Sequence, residues 1–156
     1  MGAMTDLDPA DRRLLALLQT RPRASLAELC EAAALSTAAV QRRLRRLRAE
    51  VIREEAAVID PEAAGFPIVA IVSVELERDR GDHLDAFYRA ARAEPQVMTC
   101  DCVTGETDFV LRVVARSLAD FEALTVRLLY HDSNVRKFRS SIVIRTGKDT
   151  RALPME

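Results

Sequence analysis

The apolar spacing of this chain changes once, at the stretch VIDPEAAGFP from Val58 to Pro67, and that change limits the folds open to it. Before it, apolar residues recur every three or four positions, as on helices. Asp8-Pro9 reads as a cap followed by proline in the first turn of a helix, with Leu14, Leu15 and Leu18 on one face and Leu7 placed as a staple. Arg21-Pro22 closes it. Ser25 and Glu28 make an S-x-x-E capping box that opens a second helix with Leu26, Leu29 and Cys30 inward. Ala34-Leu35-Ser36 is a short turn, and Ser36 caps a third helix. A helix, a tight turn and another helix, braced by a preceding one, is helix-turn-helix spacing.

After the change, strands and helices alternate. Ile68 to Leu76 is a β-branched strand, and Leu84, Phe87, Tyr88 and Ala91 mark a helix closed by Pro95. Val97 to Thr104 and Phe109 to Val114 are strands joined through Gly105. Leu118, Phe121, Leu124 and Leu128 mark another helix, and Val135 to Ile144 contains the last strand. The order β-α-β-β-α-β is that of a ferredoxin-like unit. The expected class is α+β: a helical DNA-binding domain over residues 5–56, a linker over 57–67 and a ferredoxin-like domain over 68–150. The strand from Phe109 to Val114 carries apolar residues on both faces. The sheet face left bare by its helices is therefore expected to pack against a second subunit.

Charge sharpens the functional reading. The chain has 156 residues, 23 Lys and Arg, 24 Asp and Glu, and a formal net charge of −1. A basic surface must therefore be local. It lies in STAAVQRRLRRLR, Ser36 to Arg48, which holds five arginines and no acid. Val40, Leu44 and Leu47 are spaced to face a core. Ala38, Ala39, Gln41, Arg42, Arg45 and Arg46 then spread over the exposed sides. Like charges three and four positions apart repel by a few tenths of a kcal/mol per pair, about 0.2–0.5. No acid within the stretch relieves them, whereas an external polyanion does. This predicts a recognition helix in the major groove of double-stranded DNA. Residues near its N-terminus read bases, and Arg45 and Arg46 meet phosphates. The competing reading is an ordinary helix with a solvated charged face.

Other chemistry is poorly provided for. No apolar run approaches the roughly 20 residues of a membrane span. The first residues lack an apolar signal core, so a cytoplasmic protein is expected. Cys30, Cys100 and Cys102 make no disulfide framework, and the C-x-C pair has no neighbouring histidine to complete a metal site. No nucleophile set, paired carboxylates or phosphate loop is present, and no cofactor or metal is implied.

Taken together, the segments LDPADRRLLALLQTRPRASLAELCEAAALSTAAVQRRLRRL, VIREEAAVIDPEAAG, VTGETDFVLRVV and VRKFRSSIVIRTGKDT resemble the Lrp/AsnC family of prokaryotic feast/famine regulators over nearly the whole chain. The resemblance implies a winged helix-turn-helix domain with VIREEAAVI as the wing. It also implies a ferredoxin-like domain that senses a small molecule, often an amino acid, and homodimers that assemble into octamers or similar rings. Two departures stand out. The family usually carries Gly between the recognition helix and the VI segment, where this chain has Glu50-Val51. Ala34 also replaces a frequent turn Gly, which is tolerable where that position is not left-handed.

The effector site implied by the resemblance maps to Thr104, Gly105 and Asp108. A carboxylate there can accept from a ligand ammonium, and the glycine loop can donate backbone N–H groups to its carboxylate. The competing reading is a hairpin turn with Gly at positive φ and Asp bonding its own backbone. Some Lrp-like proteins resemble sirohaem decarboxylases, which act through histidine and arginine; His83 and His131 are this chain's histidines. A ligand-independent architectural DNA binder is a further alternative.

Overall fold

A computed structural model describes residues 5–78, 81–130 and 134–155; His131 lies outside them. The chain divides into two units. One gathers the residues up to Ala57 with those from Lys148 onward, and the other runs Val58–Gly147.

The first unit is built from α1 (Pro9–Thr20), α2 (Leu26–Ala33) and α3 (Thr37–Glu50). Each begins at a side-chain cap. Asp8 accepts from the Asp11 N–H at 2.9 Å, Ser25 from the Glu28 N–H at 3.3 Å, and Ser36 from the Ala39 N–H at 3.4 Å. Leu14, Leu29, Val40, Leu44 and Leu47 form the buried core, with Leu7, Leu18 and Leu26 packed against it. The return segment joins this unit: the Leu153 N–H donates to Gln19 Oε1 at 2.6 Å, and Met155 packs on the core.

Two expectations are corrected here. Ala34 caps α2 at φ 54°, ψ 46°, in the left-handed region. The turn closes through the Leu35 N–H to Cys30 O at 3.1 Å, so the backbone must turn left whatever residue stands there. Holding an alanine in this region costs roughly 1 kcal/mol that glycine does not incur. Ala34 is exposed, so its methyl contributes no core packing. Ala34→Gly is therefore expected to raise the melting temperature of the helical unit by roughly 4–8 °C per kcal/mol. Calorimetry showing no increase would contradict the strain.

The wing is the second correction, because residues 51–67 contain no strand. The stretch VIREEAAVI has no Gly, Asn, Asp or Pro to reverse the chain into a hairpin, and its residues from Arg53 onward are exposed. Without a glycine, α3 stops where Val51 and Ile52 both donate to Leu47 O, and both side chains fold back onto the core.

The second unit is a four-stranded antiparallel sheet of β1 (Ile68–Leu76), β2 (Val97–Cys102), β3 (Phe109–Ala115) and β4 (Val135–Ile142), in the order β2-β3-β1-β4. Helices α4 (Gly81–Ala93) and α5 (Leu118–Thr125) complete the expected β-α-β-β-α-β order. α5 continues into one π-turn, Val126–Tyr130, which brings both Leu128 and Leu129 into the core. Ala70, Val72, Val74 and Leu76 of β1 share the buried face with Phe109, Leu111 and Val113 of β3 and with Phe87 of α4. The alternate residues Val69, Ile71, Ser73, Val110 and Arg112 lie on the other face.

Candidate DNA-binding and effector sites

The buried stripe of Val40, Leu44 and Leu47 fixes which way α3 turns. Ala38, Gln41, Arg42 and Arg45 are exposed and fall at i, i+3, i+4 and i+7, one continuous face. Ala39 is half-buried beside it. Ser36 is exposed at the helix start, where its hydroxyl already caps the Ala39 N–H.

The arginines do not behave as one group. Asp11 of α1 is 1% exposed and lies against α3. Its Oδ1 accepts from Arg43 Nη1 at 2.9 Å, and its Oδ2 accepts from Arg46 Nη2. Arg43 also pairs with Asp8. The Asp11 N–H, with Arg43 beside it, holds the Asp8 carboxyl below its ordinary value. Arg43 is correspondingly raised, by its hydrogen bonds to Asp11 and then Asp8. Arg48 pairs with Glu55 at 2.9 Å.

The stretch itself holds no acid, but acids elsewhere in the chain relieve some of its arginines. Acids from α1 and from beyond α3 pair with three of its arginines, Arg43 and Arg46 with Asp11 and Arg48 with Glu55. Arg42 and Arg45 make no ion pair with any described residue and remain on the exposed face. The missed signal was Asp8-x-x-Asp11 at the start of α1, an acidic pair at capping-box spacing.

The loop between β2 and β3 divides likewise. Thr104 and Gly105 are exposed, and Gly105 sits at φ 132°, a conformation essentially reserved for glycine. A Cβ at Gly105 would meet nothing within 4 Å, so its requirement is conformational rather than steric. Asp108 is turned onto β1. Its Oδ2 accepts from the Leu76 N–H at 2.7 Å, and its own N–H donates to Val74 O at 2.9 Å. Thr107 adds a hydroxyl bond to Val74 O at 2.6 Å. One oxygen of Asp108 is thus engaged neither by its own turn nor by a ligand: its carboxylate ties the loop to the end of β1.

Cys100 and Cys102 pair in register with Leu111 and Phe109, so both lie on the helix-facing side of an edge strand. Burial, then the nearby Asp101 and Cys102, pushes the Cys100 thiol up to about 11, so it is protonated at neutral pH. Among the described residues no group of three His, Cys, Asp or Glu side chains is placed to hold a metal, and no helix is long and apolar enough to cross a membrane. His83 is half-buried in the first turn of α4.

Comparison with known proteins agrees with this division of labour. Residues 7–48 match the AsnC-type helix-turn-helix domain, and residues 69–153 match the Lrp/AsnC ligand binding domain. The chain is 38% identical to the HTH-type transcriptional regulator y4tD of Sinorhizobium fredii, over 97% of this chain and 90% of that one. It is 34% identical to the leucine-responsive regulatory protein of Rhizobium meliloti, over 96% of each. A transcriptional regulator of Neisseria meningitidis, solved as its complex with L-Met, superposes with a TM-score of 0.88 at 32% identity, covering 96% of this chain and 97% of that one. The chain belongs to the Lrp/AsnC family of transcriptional regulators, with an N-terminal helix-turn-helix domain that binds DNA and a C-terminal domain that binds a small ligand.

Proposed function

We propose that this regulator reads DNA through Ala38, Gln41 and Arg42, anchors on phosphates through Arg45, and changes its grip when a small amino acid binds the sheet domain. The observation that carries the DNA half is the exposed Ala38–Gln41–Arg42–Arg45 face beside arginines that are already neutralised. Ser36 and Ala39 flank this face, where a small residue lets the helix approach the groove closely. Support for the amino-acid class comes from the Neisseria meningitidis relative and its L-Met complex.

The protein acts in the cytoplasm as a homodimer that assembles further. The open sheet face, with Val69, Ile71 and Val110, is the surface for a second copy. The effector reaches the Thr104–Gly105 loop, and Asp108 holds that loop in place. Binding at an interface shifts the balance of assembly states and so the spacing of paired recognition helices. No residue is assigned a catalytic role.

One experiment separates the two roles of Asp108. Asn keeps an acceptor for the Leu76 N–H, while Ala leaves that buried donor unpaired at a cost of about 1–3 kcal/mol. Asp108→Asn is expected to retain stability, dimer mass by light scattering and most of the amino-acid response in DNA binding. Asp108→Ala is expected to lose stability and response together. A fully stable Asp108→Asn that no longer binds the amino acid would instead make the charge a direct ligand partner. A wild-type protein that is monomeric at micromolar concentration, or whose DNA binding no amino acid changes, would contradict the linkage.

A further inference from the structure

At the other end of β3 from the Gly105 loop, a cavity of about 500 Å³ opens in the sheet unit. Asp108 and Arg116 bracket β3, a seven-residue strand. At about 3.3 Å per residue the two positions lie roughly 25 Å apart, so this is a different place on the domain. Val114 and Met98 line the cavity together with Pro95 and with Ala64 and Phe66 of the connector turn. That turn is a formed shelf: Asp60 Oδ1 accepts from the Glu62 N–H at 2.9 Å, and the Phe66 N–H closes onto Pro61 O at 2.7 Å.

Several polar groups of the wall bond to one another. Arg127 holds Glu94 at 3.1 Å and Gln96 Oε1 at 2.9 Å. Gln96 Nε2 donates to Val114 O at 3.1 Å and to Asp120 Oδ2 at 3.0 Å, and that same oxygen accepts from the Arg116 N–H at 2.8 Å. The Arg116 guanidinium takes no part in these bonds. It lies over the Phe66 ring with its carbon 5.2 Å from the ring centroid, and no carboxylate among the described residues pairs with it. Stacking uses the face of a guanidinium and leaves its in-plane N–H groups free, the geometry that accepts a carboxylate bidentately.

We propose that this cavity is a binding site for a small monocarboxylic acid with an apolar body. Its carboxylate pairs with Arg116, and its hydrocarbon lies on Phe66, Met98 and Val114. The size and the mostly apolar lining suit such a ligand. The two acids in the wall each bond through one oxygen, Glu94 Oε2 to Arg127 and Asp120 Oδ2 to Gln96 and the Arg116 N–H. The inference rests on the ligand-binding reading of this domain but not on the Gly105 loop.

The test is calorimetric titration of the full chain with 4-methylpentanoate and, separately, with leucine. Wild type is expected to bind 4-methylpentanoate. Arg116→Gln should weaken the acid by up to about fivefold, as loss of an exposed charge partner does. Ala64→Trp, which fills the cavity from an exposed position, should abolish acid binding, while Asp108→Asn should leave it unchanged. No binding of the acid to wild type, or equal binding to Arg116→Gln and Ala64→Trp, would overturn the proposal. In either case a leucine response sensitive to the Gly105 loop would stand by itself, so the two readings fail separately.

Discussion

Asp11→Ala is expected to destabilise the helical unit by about 3 kcal/mol, the lower end of the range for removing one partner from a buried ion pair. The lower end applies because the side chains of Arg43 and Arg46 keep 23% and 38% exposure and can partly turn to water. Two effects combine. Asp11 supplies Oδ1 to Arg43 and Oδ2 to Arg46, and Arg43 Nε is already buried without a partner, so the variant leaves a second desolvated guanidinium group unmatched. The reciprocal cap of α1 also loses the Asp11 carboxylate that accepts from the Asp8 N–H at 3.3 Å. For a domain this small the shift corresponds to a melting temperature lower by roughly 15 °C.

A compensating variant checks the cause. Asp11→Leu combined with Arg43→Met and Arg46→Met removes all three charges and is expected to recover most of the loss, because a well-packed apolar replacement of a buried ion network is often neutral. A single Asp11→Ala variant that unfolds within about 0.5 kcal/mol of wild type in urea would show that the network contributes only as a surface pair does.

The same network marks where a sequence stops being legible. The caps at Asp8, Ser25 and Ser36 and the inward stripe of Val40, Leu44 and Leu47 are local patterns, and each stands in the structure where the spacing put it. The strand order follows from alternation punctuated by turn residues, as at Gly105. Asp11, by contrast, meets Arg43 and Arg46 from 32 and 35 positions away, and a count of charge within one helix cannot register it. Asp108 likewise reaches the Leu76 N–H from 32 positions away. The cavity beside Arg116 joins residues of the connector, β2, β3 and α5, so no single window of sequence contains it. Ala34 differs again: its residue type argues against the left-handed turn, and the packing of α2 and α3 overrides that preference.

The largest expected effect on function follows from which arginines are free. Replacing Arg45 by Ala leaves one phosphate per subunit without its cation, and the dependence of log affinity on log salt should flatten by about one for each phosphate no longer neutralised. Replacing Arg42 by Ala removes a side chain proposed to read bases. It should reduce preference for a selected site over random DNA by about 1–3 kcal/mol, roughly tenfold to a hundredfold, with less change in salt slope. Arg46→Ala should leave the slope nearly as it was and lower stability instead, because its guanidinium is held by Asp11.

The most direct measurement is DNA affinity as a function of salt, with a site selected from a random-sequence pool, for wild type, Arg42→Ala, Arg45→Ala and Arg46→Ala. The predicted result is a flatter slope for Arg45→Ala, reduced discrimination for Arg42→Ala and a near-normal slope for folded Arg46→Ala. An unchanged slope and affinity in Arg45→Ala, together with a flattened slope in Arg46→Ala, would contradict the assignment of the exposed α3 face to DNA.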